Sequence, residues 1–232
     1  MLIIICGENL IKSREKLFQL KQSAKNKGQR LTTLVAKKMN AKTLESVLFA
    51  KDLFGQEHCL IIEELHSLAH SKKRTSYLES IQKASQFLEI ILWEKKSLTK
   101  NNLKKINQNN QVQIYNYPMS KALWEFLDQL SPQTKSKKKQ LLLLKDAVEQ
   151  DSAEFCLVML AKRVSDLIAI SAGANLAMHP FVKGKLEKQK NSFSLKQLLN
   201  FHQQLYNLDN KIKHSKNLLS LAGELDLLLI TL

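Results

Sequence analysis

Paired cysteines, glycine-rich loops and long apolar runs are all missing from this chain of 232 residues. Its three cysteines, Cys6, Cys59 and Cys156, stand far apart, form no CxxC pair and lie within apolar runs. Reduced, buried thiols are therefore expected rather than a disulfide framework. No apolar stretch approaches the roughly 20 residues of a membrane-spanning helix. The opening MLIIICGE has neither the basic flank nor the core length of a signal peptide. A soluble, cytoplasmic protein with no membrane partner is the expectation. The common catalytic signatures are missing as well: there is no GxSxG and no cysteine in a basic, exposed setting. The six histidines show no ligand spacing with cysteine, and His66 and His70, four apart, read as a surface pair without a third ligand. The sequence gives no reason to expect an enzyme, a metal or a cofactor.

What is abundant is positive charge. Lys and Arg number 36 against 21 Asp and Glu, a net charge of +15. Such a surplus favours a polyanionic partner, because each neutralised phosphate releases a counterion. A lysine-rich surface that merely keeps the protein in solution is the plainer reading. The surplus is not a tail: residues 1–117 hold 20 basic against 10 acidic side chains, and residues 118–232 hold 16 against 11. The densest cluster, Lys135–Lys139, reads as a solvated helix start.

Hydrophobic patterning divides the chain at the same place. Up to residue 117, short aliphatic runs (Leu2–Cys6, Leu31–Val35, Cys59–Ile62, Glu89–Leu92 and Val112–Tyr115) alternate with amphipathic segments over Ile11–Ala24, Ala41–Ala50, Ser71–Phe87 and Thr99–Gln108. Continuous apolar strands separated by helices predict an open, parallel five-stranded sheet. Pro118 ends that regime. Helical periodicities follow over Ser120–Leu130, Lys135–Val148, Ser152–Ala172, a short segment from Pro180, Leu195–His214 and Ser220–Leu232. In the first of these, Leu123, Trp124, Phe126, Leu127 and Leu130 share one broad face. The fold expected is an α/β domain over 1–117 followed by an all-α domain over 118–232.

An apolar first strand running into Gly7 and a helix is where phosphate-binding proteins place their cradle. Here it reads CGENLIKSREKL. Lys12 and Ser13 have the residue types of a phosphate loop, but no glycine precedes the lysine, and Glu8 sets a negative charge where a phosphate would sit. Leu10 and Ile11 read as helix packing positions. Glu63–Glu64, after the third strand, resemble a Walker B position, yet with no phosphate loop they read as a solvated helix start.

Several segments, in order, resemble the delta subunit of bacterial DNA polymerase III. Gly7–Glu8–Asn9 and the helix with Arg14–Glu15–Lys16–Leu17 are similar to that family's opening strand, turn and helix. Ala50–Lys51–Asp52–Leu53–Phe54–Gly55, before the third strand, looks like its Leu–Phe element. His179–Pro180–Phe181–Val182–Lys183, Phe193–Ser194–Leu195 and Leu208–Asp209–Asn210–Lys211–Ile212–Lys213 resemble its closing helices. The resemblance implies an AAA+-related fold without a working nucleotide site, and a helical collar that joins other clamp-loader ATPase subunits. In that collar His179, Pro180, Phe181, Asp209 and Lys213 would face partners. It also implies a non-catalytic subunit that wedges Leu53 and Phe54 into the sliding clamp and helps open it for loading onto primer-template DNA. Without the resemblance, packing of Phe54 onto the sheet is the simpler reading of that pair. Family members carry a lid domain between sheet and collar. Here Tyr117 leads almost directly into collar-like helices, which makes the chain a shortened variant without the lid. The alternative is a degenerate AAA+-like adaptor that binds nucleic acid or protein without loading clamps. A small nucleotide-dependent enzyme is the third reading, and the β-strand-to-helix turn speaks against it.

Overall fold

Five aliphatic runs pair side by side to make the first half of the chain: β1 (Leu2–Cys6), β2 (Arg30–Val35), β3 (His58–Glu63), β4 (Glu89–Trp93) and β5 (Val112–Asn116). A computed structural model of the chain describes residues 1–49, 57–106, 112–214 and 219–232. All strand pairings are parallel, in the order β2-β3-β4-β1-β5. The central strands are the apolar ones. Leu2 to Cys6, Cys59 to Ile62 and Ile90 to Trp93 are buried, whereas edge strands β2 and β5 carry Thr32, Thr33 and Gln113 among partly exposed positions. Parallel sheets need both faces covered, and the two-residue alternation of side chains sorts them. Leu2, Ile4, Leu60, Ile62, Ile90 and Leu92 pack with Leu44 of α2 (Ala41–Leu48), with Tyr77 and Ile81 of α3 (Lys72–Ala84) and with Ile106 of α4 (Lys100–Ile106). Ile3, Ile5, Cys59, Ile61, Ile91 and Trp93 pack with Leu17 and Ala24 of α1 (Leu10–Asn26) on the other face. The sheet is thus doubly wound, as right-handed crossovers require when the chain leaves β1 for one side and reaches β5 on the other.

Contacts divide the chain into two compact units, Met1–Pro118 and Met119–Leu232. The second unit contains α5 (Lys121–Asp128), α6 (Lys137–Asp151), α7 (Ala153–Ser171), α8 (Pro180–Lys190), α9 (Leu195–Lys213) and α10 (Leu221–Thr231). Its core gathers on α7, which buries Phe155, Cys156, Leu160, Val164, Leu167 and Ile170 against residues such as Phe126, Leu144, Phe201, Leu205 and Leu229. Side-chain caps start the helices: Ser120, Ser152, His179, Ser194 and Ser220 each accept a hydrogen bond from a first-turn backbone N–H. Ser194 and Gln197 form a full capping box. Ser152, at φ 87° and ψ 153°, lets α6 end and α7 begin within one residue. Trp124 leaves the face expected of it and is 43% exposed, because Leu123, Phe126 and Leu127 fill the buried side of α5.

Candidate functional site

In open α/β sheets ligands bind beyond the carboxyl ends of the strands where the winding reverses. Here that crevice lies between β1 and β4. The β1 turn is locked by backbone. Tyr117 N–H donates to the Cys6 carbonyl at 2.8 Å, and Asn9 N–H donates to the Tyr117 carbonyl at 2.9 Å. Gly7 has φ 124°, and a Cβ there would stand 2.2 Å from the Tyr117 carbonyl oxygen, so glycine serves close chain approach. The Asn9 side chain caps α1 by accepting from Lys12 N–H. Across the crevice, Glu8 accepts from the backbone N–H (3.2 Å) and hydroxyl (2.9 Å) of Ser97. Ser13 is fully buried, with its hydroxyl donating to the Leu10 carbonyl and accepting from Trp93 Nε1 at 3.3 Å. The polar groups of a phosphate-loop-like sequence are thus spent on the chain itself. Leu10 and Ile11, expected as packing positions, are 40% and 38% exposed. The buried face of α1 runs through Ser13, Leu17 and Ala24 instead.

Glu63 and Glu64 are not a solvated helix start. Glu63 takes a bidentate pair from Arg14, at 2.7 and 2.8 Å. The Arg14 guanidinium lies 3.5 Å over the centre of the Trp93 ring. The hydrogen bonds from Arg14 hold the Glu63 carboxyl below its usual range. Glu64 adopts a left-handed backbone (φ 62°) that lets its N–H reach the Trp93 carbonyl, and its carboxylate pairs with Lys95 at 2.6 Å. His66 departs from the surface pair expected of it: its side chain is buried and bonds Glu94 through Nδ1 at 2.8 Å. Neither Glu94 nor Ser97 carried a sequence signal, since their partners His66 and Glu8 lie 28 and 89 residues away. Among the described residues no three His, Cys, Asp or Glu side chains converge to hold a metal ion, and no helix is long and apolar enough to cross a membrane.

Leu53 and Phe54 lie outside the described residues. Just before them, Phe49 closes α2 and faces Phe87, with ring centres 6.4 Å apart and exposures of 59% and 67%. In the second unit, His179 caps α8 by accepting from Phe181 N–H, and Pro180 takes the first helical position, where its missing donor is no loss. Phe181 is 66% exposed, with the Lys185 ammonium 5.0 Å from its ring centre. Asp209 and Lys213 pair one turn apart on α9. The five positions expected to face partners therefore fall in two places, the start of α8 and the end of α9. Among the described residues, no hydrogen bond or ion pair joins the two groups.

Neither a family model nor a curated protein matches the chain. Among solved structures, it is similar to the DNA clamp loader delta protein (YqeN) of Bacillus subtilis. The identity is 12%, with 99% of this chain and 94% of that one covered, at a TM-score of 0.47. It is also similar to a chain of the Drosophila ORC structure bound to poly(dA/dT) DNA and Cdc6. There the identity is 11%, with 89% of this chain and 45% of that one covered, at a TM-score of 0.34.

Proposed function

We propose that this chain is a delta-like, non-catalytic subunit of a DNA polymerase III clamp loader. It grips the sliding clamp through Leu53 and Phe54, joins ATPase subunits through its helical unit and works beside primer-template DNA. The observation that carries this reading is the exposed Phe49–Phe87 pair. A monomer gains nothing by leaving two aromatic rings together in water, and Phe49 stands in sequence just before the Leu–Phe element whose resemblance points to clamp binding. Burying Leu53 and Phe54 contributes about 1.5–3 kcal/mol each, the size of an interface hot spot. The internally satisfied β1 turn supports a subunit that leaves ATP hydrolysis to its partners. The test is co-purification with a clamp and ATPase partners, followed by clamp titration. Replacing Leu53 and Phe54 by Ala should weaken clamp binding about 100-fold or more; unchanged affinity removes the wedge.

The +15 charge is carried by both halves, +10 (20 − 10) over residues 1–117 and +5 (16 − 11) over 118–232, which favours one alternative, an adaptor that binds nucleic acid without a clamp. Steeply salt-dependent DNA binding by the isolated chain, with no clamp binding at any salt, would select it.

A further inference from the structure

Away from the β1 turn, one cavity in the first unit brings together a buried arginine that no carboxylate pairs with and a buried histidine whose second ring nitrogen has no partner. It has a volume of about 330 Å³ and runs along α3 toward α4. His66 stands at one end. Its backbone N–H and its Nδ1 both reach the same Glu94 oxygen, at 2.9 and 2.8 Å. A carboxylate only accepts, so Nδ1 carries a proton and the ring is fixed with Nε2 on the opposite side. That side chain is 5% exposed, lines the cavity, and its Nε2 has no partner. Buried polar atoms are nearly always paired, so an orphan of this kind marks the place of a partner from outside.

Arg74, in the first turn of α3, is also 5% exposed and lines the same wall. Its Nη1 donates to the carbonyls of His66 and Leu68, which aims the guanidinium, and no carboxylate pairs with it among the described residues. A buried cation without a counter-charge is the second sign of a missing anion. His70 and the hydroxyl-bearing Ser71 and Thr75 complete this end, at the helix N-terminus, where the backbone dipole also favours negative charge.

We propose that this cavity binds a small phosphomonoester, with its phosphate between His66 Nε2 and Arg74. Glu94, behind the ring, fixes its orientation so that the unpartnered Nε2 is presented to the phosphate. Three other charged or titratable groups line the cavity with His66: His70 and Arg74 at the phosphate end, and Glu79 two turns along α3. Glu79 sets the ligand class. Farther along α3, Glu79 and Gln82, with Asn102 of α4, line the far end beside the apolar Leu78 and Ile106. A bare anion would leave that end unfilled, and a second anionic group would be repelled there. A hydroxyl- or amine-bearing organic part, as on a sugar phosphate, fits it. Gly7, Glu8 and Lys12 do not line the cavity, and the site does not depend on clamp binding.

The test follows the histidine ring nitrogens of the full ¹⁵N-labelled chain during titration with inorganic phosphate, ribose 5-phosphate and ribose. The His66 resonances, assigned by their loss in His66→Gln, should shift saturably with a Kd of about 1 mM for phosphate. Binding should be about tenfold tighter for ribose 5-phosphate and absent for ribose. His66→Gln and Arg74→Gln should each weaken binding about tenfold or more with unchanged circular dichroism. Absence of a saturable His66 shift with both phosphates overturns the site, as does undiminished affinity in His66→Gln. Equal affinity for the two phosphates overturns the ligand class. Should a variant fail to fold, the wild-type histidine spectrum decides.

Discussion

The two units use their polar side chains in different ways. In the first, polar contacts gather where the strands end: Glu8 with Ser97, Arg14 with Glu63, Lys95 with Glu64 and His66 with Glu94. They close the crevice in which such a sheet would hold a ligand. In the second, one network braces the turn after α5. Arg163 donates to Asp128 and Gln189, Gln189 donates to the Leu127 and Leu130 carbonyls, and Lys185 reaches Asp128. Their surfaces differ too. The helical unit leaves Leu142, Val158, Phe181, Leu199, Tyr206, Leu227 and Ile230 half or more exposed. An α/β sheet covers its apolar strands with its own helices, whereas a helical unit whose helices carry apolar residues on several sides cannot bury them all on one core. That surplus is available for partners.

Each unit contains one tryptophan, Trp93 and Trp124, so Trp→Phe single-tryptophan versions report on each separately. The largest effect expected is from Gly7→Ala. The added Cβ meets the Tyr117 carbonyl, and φ is positive. Denaturant unfolding followed by Trp93 should show a loss of about 3 kcal/mol or more, while the Trp124 signal keeps its midpoint. Next is Arg163→Ala, which strips the buried Gln189 of its donor and Asp128 of one cation. About 2–3 kcal/mol should be lost, read by Trp124 and not by Trp93.

Acid should separate the units more gently. The folded state depresses the Glu63 carboxyl, so its stabilisation is complete above the unfolded value near 4.5 and is lost as pH falls through the folded one. Arg14 is 44% exposed, so solvent screening limits the effect to about 1 kcal/mol or less. Glu63→Gln should flatten the acid limb of the Trp93 transition and leave that of Trp124 unchanged. The smallest effect concerns the thiols. Burial pushes Cys59 up to about 11 and Cys156 up to about 12. Both should resist a disulfide reagent in the native chain, and each should react only when its own unit opens. Fast native labelling of either would contradict that burial.

Against these contrasts, the legibility of the sequence has a physical pattern. The strands were readable because central parallel strands are continuous apolar runs: Leu2–Cys6 matches β1, and Cys59–Ile62 lies within β3. Helix starts were readable where Ser caps them, at Ser71, Ser120, Ser152, Ser194 and Ser220. What could not be read was long-range pairing. His66 looks like a surface residue until β3 and β4 lie side by side and bring Glu94 to it. Ile11 looks like core until Ser13 is seen to face Trp93. Local sequence carries propensity and period, whereas partner choice across a sheet depends on register, which no window contains.

The latch between Gly7 and Tyr117 constrains more than the present shape. To hold a phosphate, the β1 turn would have to give up the Tyr117 bonds, move Glu8 off Ser97 and free Ser13 from Trp93. Each change alone removes a satisfied contact before any ligand compensates for it. At this turn, stability and phosphate binding therefore compete for the same backbone and side-chain groups.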